Sequence, residues 1–153
     1  MSARNISWTF SAFESLSNYH LYQFLKLRQD VFIIEQSCLY PDIDNLDQFS
    51  HHLLGYNKKS LVAYLRIVPP GKKFNHPSVG RVIITKNERN RGLGDELVRI
   101  GLQKAKELYG NTDINVEAQA HLHDFYHRIG FRKISDNYDV DGIPHIKMVF
   151  SHV

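Results

Sequence analysis

Residues 79–109 read VGRVIIT (79–85), KNERNRGLG (86–94) and DELVRIGLQKAKELY (95–109). Val79, Val82, Ile83, Ile84 and Thr85 are β-branched, the composition of a strand buried on both faces. From Leu93 onward the apolar spacing becomes helical. Leu93, Leu97 and Ile100 form one row, and Val98, Leu102, Ala105 and Leu108 or Tyr109 form the next, with Lys and Glu opposite. Between strand and helix lies a polar loop carrying Arg89, Asn90, Arg91, Gly92 and Gly94. Glycines there clear side chains from the mouth of the helix, whose first-turn N–H groups lack helical partners and carry partial positive charge. A strand, a basic glycine loop and a helix N-terminus together make an anion seat suited to phosphate. An ordinary loop with solvated arginines is the plainer alternative.

Spacing excludes two phosphate-binding templates. A P-loop needs Gly-Lys-Ser/Thr, and no Lys-Ser or Lys-Thr follows Gly94. The dinucleotide fingerprint needs a third glycine, where this chain has Leu97. What remains is Arg89-x-x-Gly92-x-Gly94.

The flanking sequence extends the strand and helix pattern in both directions. Ile6, Trp8 and Phe10 alternate as in a half-buried strand. Ser17 or Asn18 can cap a helix that runs through Leu21, Phe24, Leu25, Arg28 and Phe32 to about Glu35. The segment SCLYPDIDNLD (37–47) breaks any period and reads as a loop. Residues 52–56 and 61–68 form a hairpin around Asn57-Lys58-Lys59, and the proline-bearing stretch 69–78 is a second loop. A short strand starts at Ile114, and a helix over 121–129 stops at Gly130. Strands over 131–138 and 143–150 make a last hairpin around Val140-Asp141-Gly142. The order β–α–βββ–α–β–α–ββ implies an α/β arrangement with a mixed sheet, parallel across the central helix.

HDFYHRIGF (123–131) contains Phe125, Tyr126, Gly130 and Phe131 in the spacing F-Y-x-x-x-G-F. With the loop Arg89-x-x-Gly92-x-Gly94 and the order of elements, it resembles the GNAT N-acetyltransferase superfamily. There R/Q-x-x-G-x-G/A binds the pyrophosphate of coenzyme A, and Y-x-x-x-G-F ends the helix after a diverging strand. RQDVFIIEQSCLYPDID, GRVIIT, EAQAHL, FYHRIGF and DGIPHIKM closely resemble the ElaA-like branch over nearly the whole chain. One departure is Gln119, where many GNAT sequences have Asn.

The resemblance implies an α/β GNAT fold of the α+β type. Its mixed central sheet would have about six to seven strands flanked by helices, with splayed parallel central strands, in a single domain over 1–153. It implies acetyl transfer from acetyl-CoA to a primary amine by direct attack in a ternary complex. Coenzyme contacts fall on Val82, Ile83, Ile84, Arg89, Asn90, Arg91, Gly92, Leu93 and Gly94, with a backbone N–H near Ile84 supporting the oxyanion. Tyr126 becomes the candidate general acid for the leaving thiolate, against the alternative of a core aromatic bonded to a carbonyl. Glu35 and His121 become candidates for the base. Glu35 is otherwise an ion-pair partner for Arg28, and His121 a residue at a helix start. His145 either lines the same cleft or sits in the last hairpin. Asp42, Asp44 and Asp47 either attract a cationic amine or form a solvated acidic loop.

Composition is that of a soluble globular protein. The chain has 153 residues, 42% apolar and 23% charged, one domain's worth with a real core. No apolar run approaches a membrane span and no signal sequence opens the chain. Cys38 is the single cysteine, so no internal disulfide forms and a cytoplasmic location is expected. The formal charge of +3 suits an anionic small ligand and is too small to argue for nucleic acid. A small-molecule or peptide amine is the expected acceptor, with no membrane partner, and a homodimer is left open.

Nine histidines raise a competing class. His123 and His127 share one helix face in a pattern like H-E-x-x-H, with Asp124 in place of Glu. A zinc hydrolase would need a third ligand from His51, His52 or His145. With the acetyl-CoA reading, no metal is expected. A coenzyme A-binding module without catalysis is the third class.

Overall fold

Ser17 opens the first helix by accepting a hydrogen bond from the His20 N–H at 3.0 Å, the N-cap that the sequence predicts. In this computed structural model, which describes residues 5–152, the elements are β1 (Ile6–Ala12), α1 (Asn18–Arg28), β2 (His51–Asn57), β3 (Ser60–Val68), β4 (Ser78–Ile84), α2 (Leu93–Tyr109), β5 (Ile114–Gln119), α3 (His123–Ile129), β6 (Arg132–Lys133), β7 (Tyr138–Val140) and β8 (Ile143–Phe150). The first helix reaches Glu35 as expected. Its last part, Gln29–Glu35, widens to π-helical turns, with the Gln36 N–H bonded to the Val31 carbonyl and the Cys38 N–H to that of Ile33.

The strands form one mixed sheet in the order β1-β2-β3-β4-β5-β8-β6, with β7 also on β8. Among the described residues it has eight strands, against the six to seven expected. The extra one arises because the strand predicted over 131–138 is broken. Arg132–Lys133 and Tyr138–Val140 pair with β8, and between them the backbone leaves the ladder after a last bond from the Ile134 N–H to the Lys147 carbonyl at 2.9 Å. The helix predicted from His121 begins at His123, after a tight turn over Ala120–Leu122, and ends at Gly130.

Two cores cover the sheet. Leu53, Leu65, Ile67, Val98, Leu102 and Met148 belong to the larger, beneath α2 and α3, while α1 buries Phe24 against Leu54, Tyr64 and Ile83 on the other face. A bulge in β4 decides which side chain goes where. Tyr64 pairs with Ile83 and Arg66 with Gly80, so β4 carries one residue more than β3 between these pairs. Arg81 takes the left-handed conformation there, at φ +52°. The alternation is thereby inverted: Val79, Val82 and Ile84 pack in the α2 core, but Ile83 packs under α1.

The acidic loop is not solvated, which corrects that sequence expectation. Asp42 and Asp47 are each only 5% exposed. Arg28 from α1, Arg66 from β3 and Arg81 from β4 converge on Asp42, Asp44 and Asp47, three cations against three carboxylates. Arg28 therefore pairs with Asp42 at 2.9 Å and Asp47 at 2.6 Å, not with Glu35. Burial opposes the charge on Asp44, but the Arg66 and Arg81 guanidiniums outweigh it and hold the carboxyl at about 2.

His52 lies against this network, stacked on Phe24 with ring centroids 4.7 Å apart. The Asp47 carbonyl, 3.0 Å from Nε2, can only accept, so Nε2 carries the proton and Nδ1 accepts from the Tyr64 hydroxyl at 2.7 Å. Burial favours this neutral ring and lowers its pKa from 6.5 to about 4. Below pH 6.5 the unfolded chain takes up a proton that the folded chain excludes. Stability is thus full above that pH and falls steadily toward pH 4. Thermal melts over this window should show the loss, and His52→Gln should flatten it; an equal slope in the variant assigns the effect to other groups.

Candidate active site

Between β4 and β5 the sheet opens. The two strands pair in parallel only at Ser78–Asn115 and Val79–Val116 and then separate. Beyond that point a cleft of about 640 Å³ lies between them. The Thr85 N–H bonds to the Val62 carbonyl on β3 at 2.9 Å. Successive backbone groups of a strand alternate in direction, so the N–H and C=O of Ile84 face the open edge. That carbonyl accepts from Arg89 Nε at 2.7 Å. The Ile84 N–H is left as the donor on the cleft side.

At one end of the cleft stands the mouth of α2. Gly92 occupies its N-cap at φ +83° with no side-chain cap, and the first helical bond runs from the Glu96 N–H to the Gly92 carbonyl. The N–H groups of Leu93, Gly94 and Asp95 therefore have no helical partner. Arg89, Asn90, Gly92 and Gly94 line the cleft, as do Val82, Ile83 and Ile84. Leu93 turns its side chain into the core at 1% exposure, and neither it nor Arg91 lines the cleft. A Cβ at Gly94 would stand 3.2 Å from Phe125 Cε1, so α3 packs tightly against the bare backbone here.

Arg89 is not a solvated loop residue. Its guanidinium grips the Glu35 carboxylate at 2.7 and 3.2 Å, tying the end of the π-helical segment to the loop before α2. The hydrogen bond from Arg89 lowers the Glu35 pKa. Across the cleft, Gln119 donates to Gln36 at 3.1 Å. His121 lies exposed on the rim.

Tyr126 forms part of the cleft floor and is 4% exposed, edge-on to Phe125 and Phe131. Among the described residues its hydroxyl has no hydrogen-bond partner, so it is not bonded to a core carbonyl. Burial raises its pKa above the ordinary 10.

Glu117 and Lys73, which sequence reasoning left aside, also line the cleft. Lys73 reaches Glu117 at 3.2 Å, and the Tyr138 hydroxyl donates to Glu117 at 2.7 Å. The signal for Glu117 was its place in β5, between the inward Val116 and Ala118, where period two puts a charge on the opposite face. His145 lines the cleft as well, with Nδ1 2.8 Å from the Ile143 carbonyl.

His123 and His127 stack with centroids 5.5 Å apart, but among the described residues no group of three His, Cys, Asp or Glu side chains converges to hold a metal. The third ligand a zinc hydrolase requires is not brought to them. No helix among the described residues is long and apolar enough to cross a membrane.

Comparison with known proteins agrees with this geometry. The family model described as an acetyltransferase (GNAT) domain matches residues 23–152. A UPF0039 protein of Synechocystis is 44% identical over 146 residues, spanning 95% of each chain. Protein ElaA of Escherichia coli is 37% identical, covering 94% of this chain and 95% of that one. Its crystal structure superposes with a TM-score of 0.91 over 96% of this chain and all of that one. An acyl-CoA N-acyltransferase from Pseudomonas aeruginosa, 36% identical, superposes at 0.90 with the same coverage.

Proposed function

The chain belongs to the GNAT acetyltransferase family, in its ElaA-like branch, and we propose that it transfers acetyl from acetyl-CoA to a primary amine within a ternary complex. Members of this family use acyl donors linked to coenzyme A. The observation that carries the reading is the open edge of β4 beside the splayed β5, with an uncapped glycine helix mouth at one end and an unpartnered phenol on the floor. A thioester arm needs backbone donors along its length, and its pyrophosphate needs the free N–H groups of α2.

The Ile84 N–H faces the side where charge develops on the acyl oxygen and supports the oxyanion. The neutral amine attacks the thioester carbonyl carbon, forming C–N. Collapse of the tetrahedral adduct breaks C–S, and Tyr126 donates to the departing sulfur. The proton that the adduct's nitrogen sheds restores Tyr126, so that from the ammonium form of the acceptor the products are an amide, the free thiol and one proton. Of the candidate bases, Glu35 is held ionised by Arg89 and orders the coenzyme loop, whereas His121 is placed to pass a proton to solvent from the rim. The acceptor is a small-molecule or peptide amine, and the reaction is assigned to the cytoplasm.

The test is thiol release from acetyl-CoA against a wide amine panel, with the amide identified by mass spectrometry. Turnover with at least one amine is expected. Coenzyme binding without turnover on the whole panel would make the chain a binding module instead.

The phosphate seat has its own test. Gly94→Glu puts a carboxylate at the helix mouth and displaces Phe125. Acetyl-CoA binding should be lost in calorimetry, while circular dichroism shows the fold retained. Gly94→Ala, which asks Phe125 to yield by only a few tenths of an ångström, should keep most of the affinity. Unchanged affinity in a folded Gly94→Glu protein places the seat elsewhere.

A further inference from the structure

On the acceptor side of the cleft, β5, β8 and β7 bring charged and polar side chains to one face. In the register, Gln119 faces His145 and Glu117 faces Lys147 across β5 and β8, and Tyr138 faces His145 across β7 and β8. Glu117 and His145 are therefore diagonal neighbours on one face, a separation of roughly 7–8 Å between backbones. The Tyr138 hydroxyl crosses β8 to reach Glu117 Oε2 at 2.7 Å.

Glu117 is a half-buried carboxylate that its surroundings keep ionised. Burial works against the charge, but the Tyr138 hydroxyl and the Lys73 ammonium outweigh it and lower the pKa. Its second oxygen meets the Lys73 ammonium at 3.2 Å, with side chains 29% and 21% exposed. Lys73 comes from the loop between β3 and β4, outside any ladder, and its Nζ also lies 5.6 Å from the Phe74 ring. A primary alkylammonium on a carboxylate beside an aromatic ring is the chemistry that an amine acceptor would bring.

His145 completes the arrangement. A carbonyl only accepts, so Nδ1–H donates to Ile143, and the neutral ring presents its lone pair at Nε2. Among the described residues Nε2 has no partner. On its face of the sheet this ring is flanked by Glu117 from β5, Tyr138 from β7 and Lys147 on its own strand, while Lys73 from the β3–β4 loop and Asp141 from the β7–β8 turn line the same cleft.

We infer that Glu117 is the acceptor's ammonium subsite, that Lys73 occupies it as an internal stand-in, and that His145 Nε2 takes the proton from the bound ammonium. The ligand class is an unbranched primary alkylammonium, which displaces Lys73. One proton passes from R–NH₃⁺ to Nε2, leaving on nitrogen the lone pair that attacks the thioester. This role for His145 rests on the acyl-transfer reading; the subsite itself does not. His121 then serves at most as the outer relay.

The test has two arms. In the first, ¹⁵N-labelled protein without coenzyme is titrated with n-butylammonium, using tetramethylammonium as a control that has no N–H. The His145 ring resonances should move with n-butylammonium alone. Glu117→Gln should weaken that response about tenfold or more, and Lys73→Gln should strengthen it. Because Glu117→Gln also disturbs its partners, Tyr138→Phe is measured beside it and should weaken binding less. Resonances that ignore n-butylammonium, or a Lys73→Gln protein that binds it more weakly, overturn the subsite.

In the second arm, His145→Gln should lose the acidic limb of kcat/KM for the amine while its Kd for acetyl-CoA and its Tm are unchanged. A limb that persists overturns the proton transfer. Failure of the wild-type protein to release thiol with any amine, alongside a positive titration, removes the acyl-transfer reading and leaves the subsite standing.

Discussion

Tyr126→Phe should lower kcat by roughly 10²–10⁴-fold, the usual range for one general acid, and leave the fold as stable as before. The ring is fixed from two sides, edge-on to Phe125 at 4.9 Å and to Phe131 at 5.5 Å, and phenylalanine keeps both contacts. Only the donor is lost. Its value lies in the transition state, because negative charge appears on sulfur only as the C–S bond breaks. Burial raises the phenol's pKa, so it is fully protonated at neutral pH and serves best as a hydrogen-bond donor to the forming thiolate. The KM for acetyl-CoA should change little. The stability prediction follows from the unpartnered hydroxyl. Removing a buried polar atom that bonds to no protein group costs nothing and can stabilise. Steady-state kinetics and thermal melts check both halves. An unchanged kcat with a lower Tm would return Tyr126 to the core.

The second large effect is on stability. Arg28→Met should cost about 3–5 kcal/mol, the range for removing one partner of a buried ion pair. Arg28 is fully buried, and it holds Asp42 through both side chain and backbone and Asp47 through its side chain. Methionine fills part of the volume but leaves two buried carboxylates short of a cation. Arg66 and Arg81 still face them, so the network loses its balance rather than all its charge. Lys26→Ala is the contrast: the Lys26–Asp30 pair has side chains 64% and 41% exposed, where water and salt screen the attraction, and its loss should leave the midpoint nearly unchanged. Urea denaturation of both variants checks the difference. Equal midpoints would mean that the arginine–aspartate network contributes no more than a surface pair. The same loss should disturb the acceptor side of the cleft, because Tyr40 and Arg81 line it and both contact Asp42.

Much of the fold was legible in the sequence because it rests on local periodicity. The β-branched run of β4, the 3.6-residue rows of α2 and the glycines between them are properties of neighbouring residues, and they placed the central unit within two residues of where it lies. The motif around Tyr126 placed that side chain on the element that carries it. The stretch over 131–138 misled because apolar and polar residues mix there without a period, so its ladder breaks were invisible.

Charge pairing, in contrast, was decided only by tertiary structure. Asp42, Asp44 and Asp47 look like a solvated loop because their cations lie far along the chain, on α1, β3 and β4. Glu35 lies seven residues from Arg28 but pairs with Arg89, 54 residues away. The bulge at Arg81 that turns Ile83 to the opposite face has no sequence mark, since arginine is not a residue that prefers positive φ. Glu117, His145 and Lys73 share a cleft only because β5 and β8 are antiparallel neighbours in a fixed register. Helix and strand periods are set by bonds along the chain and can be read from it. Which distant charge meets which is set by how the sheet is ordered, and that emerges only when the cores on both its faces are packed.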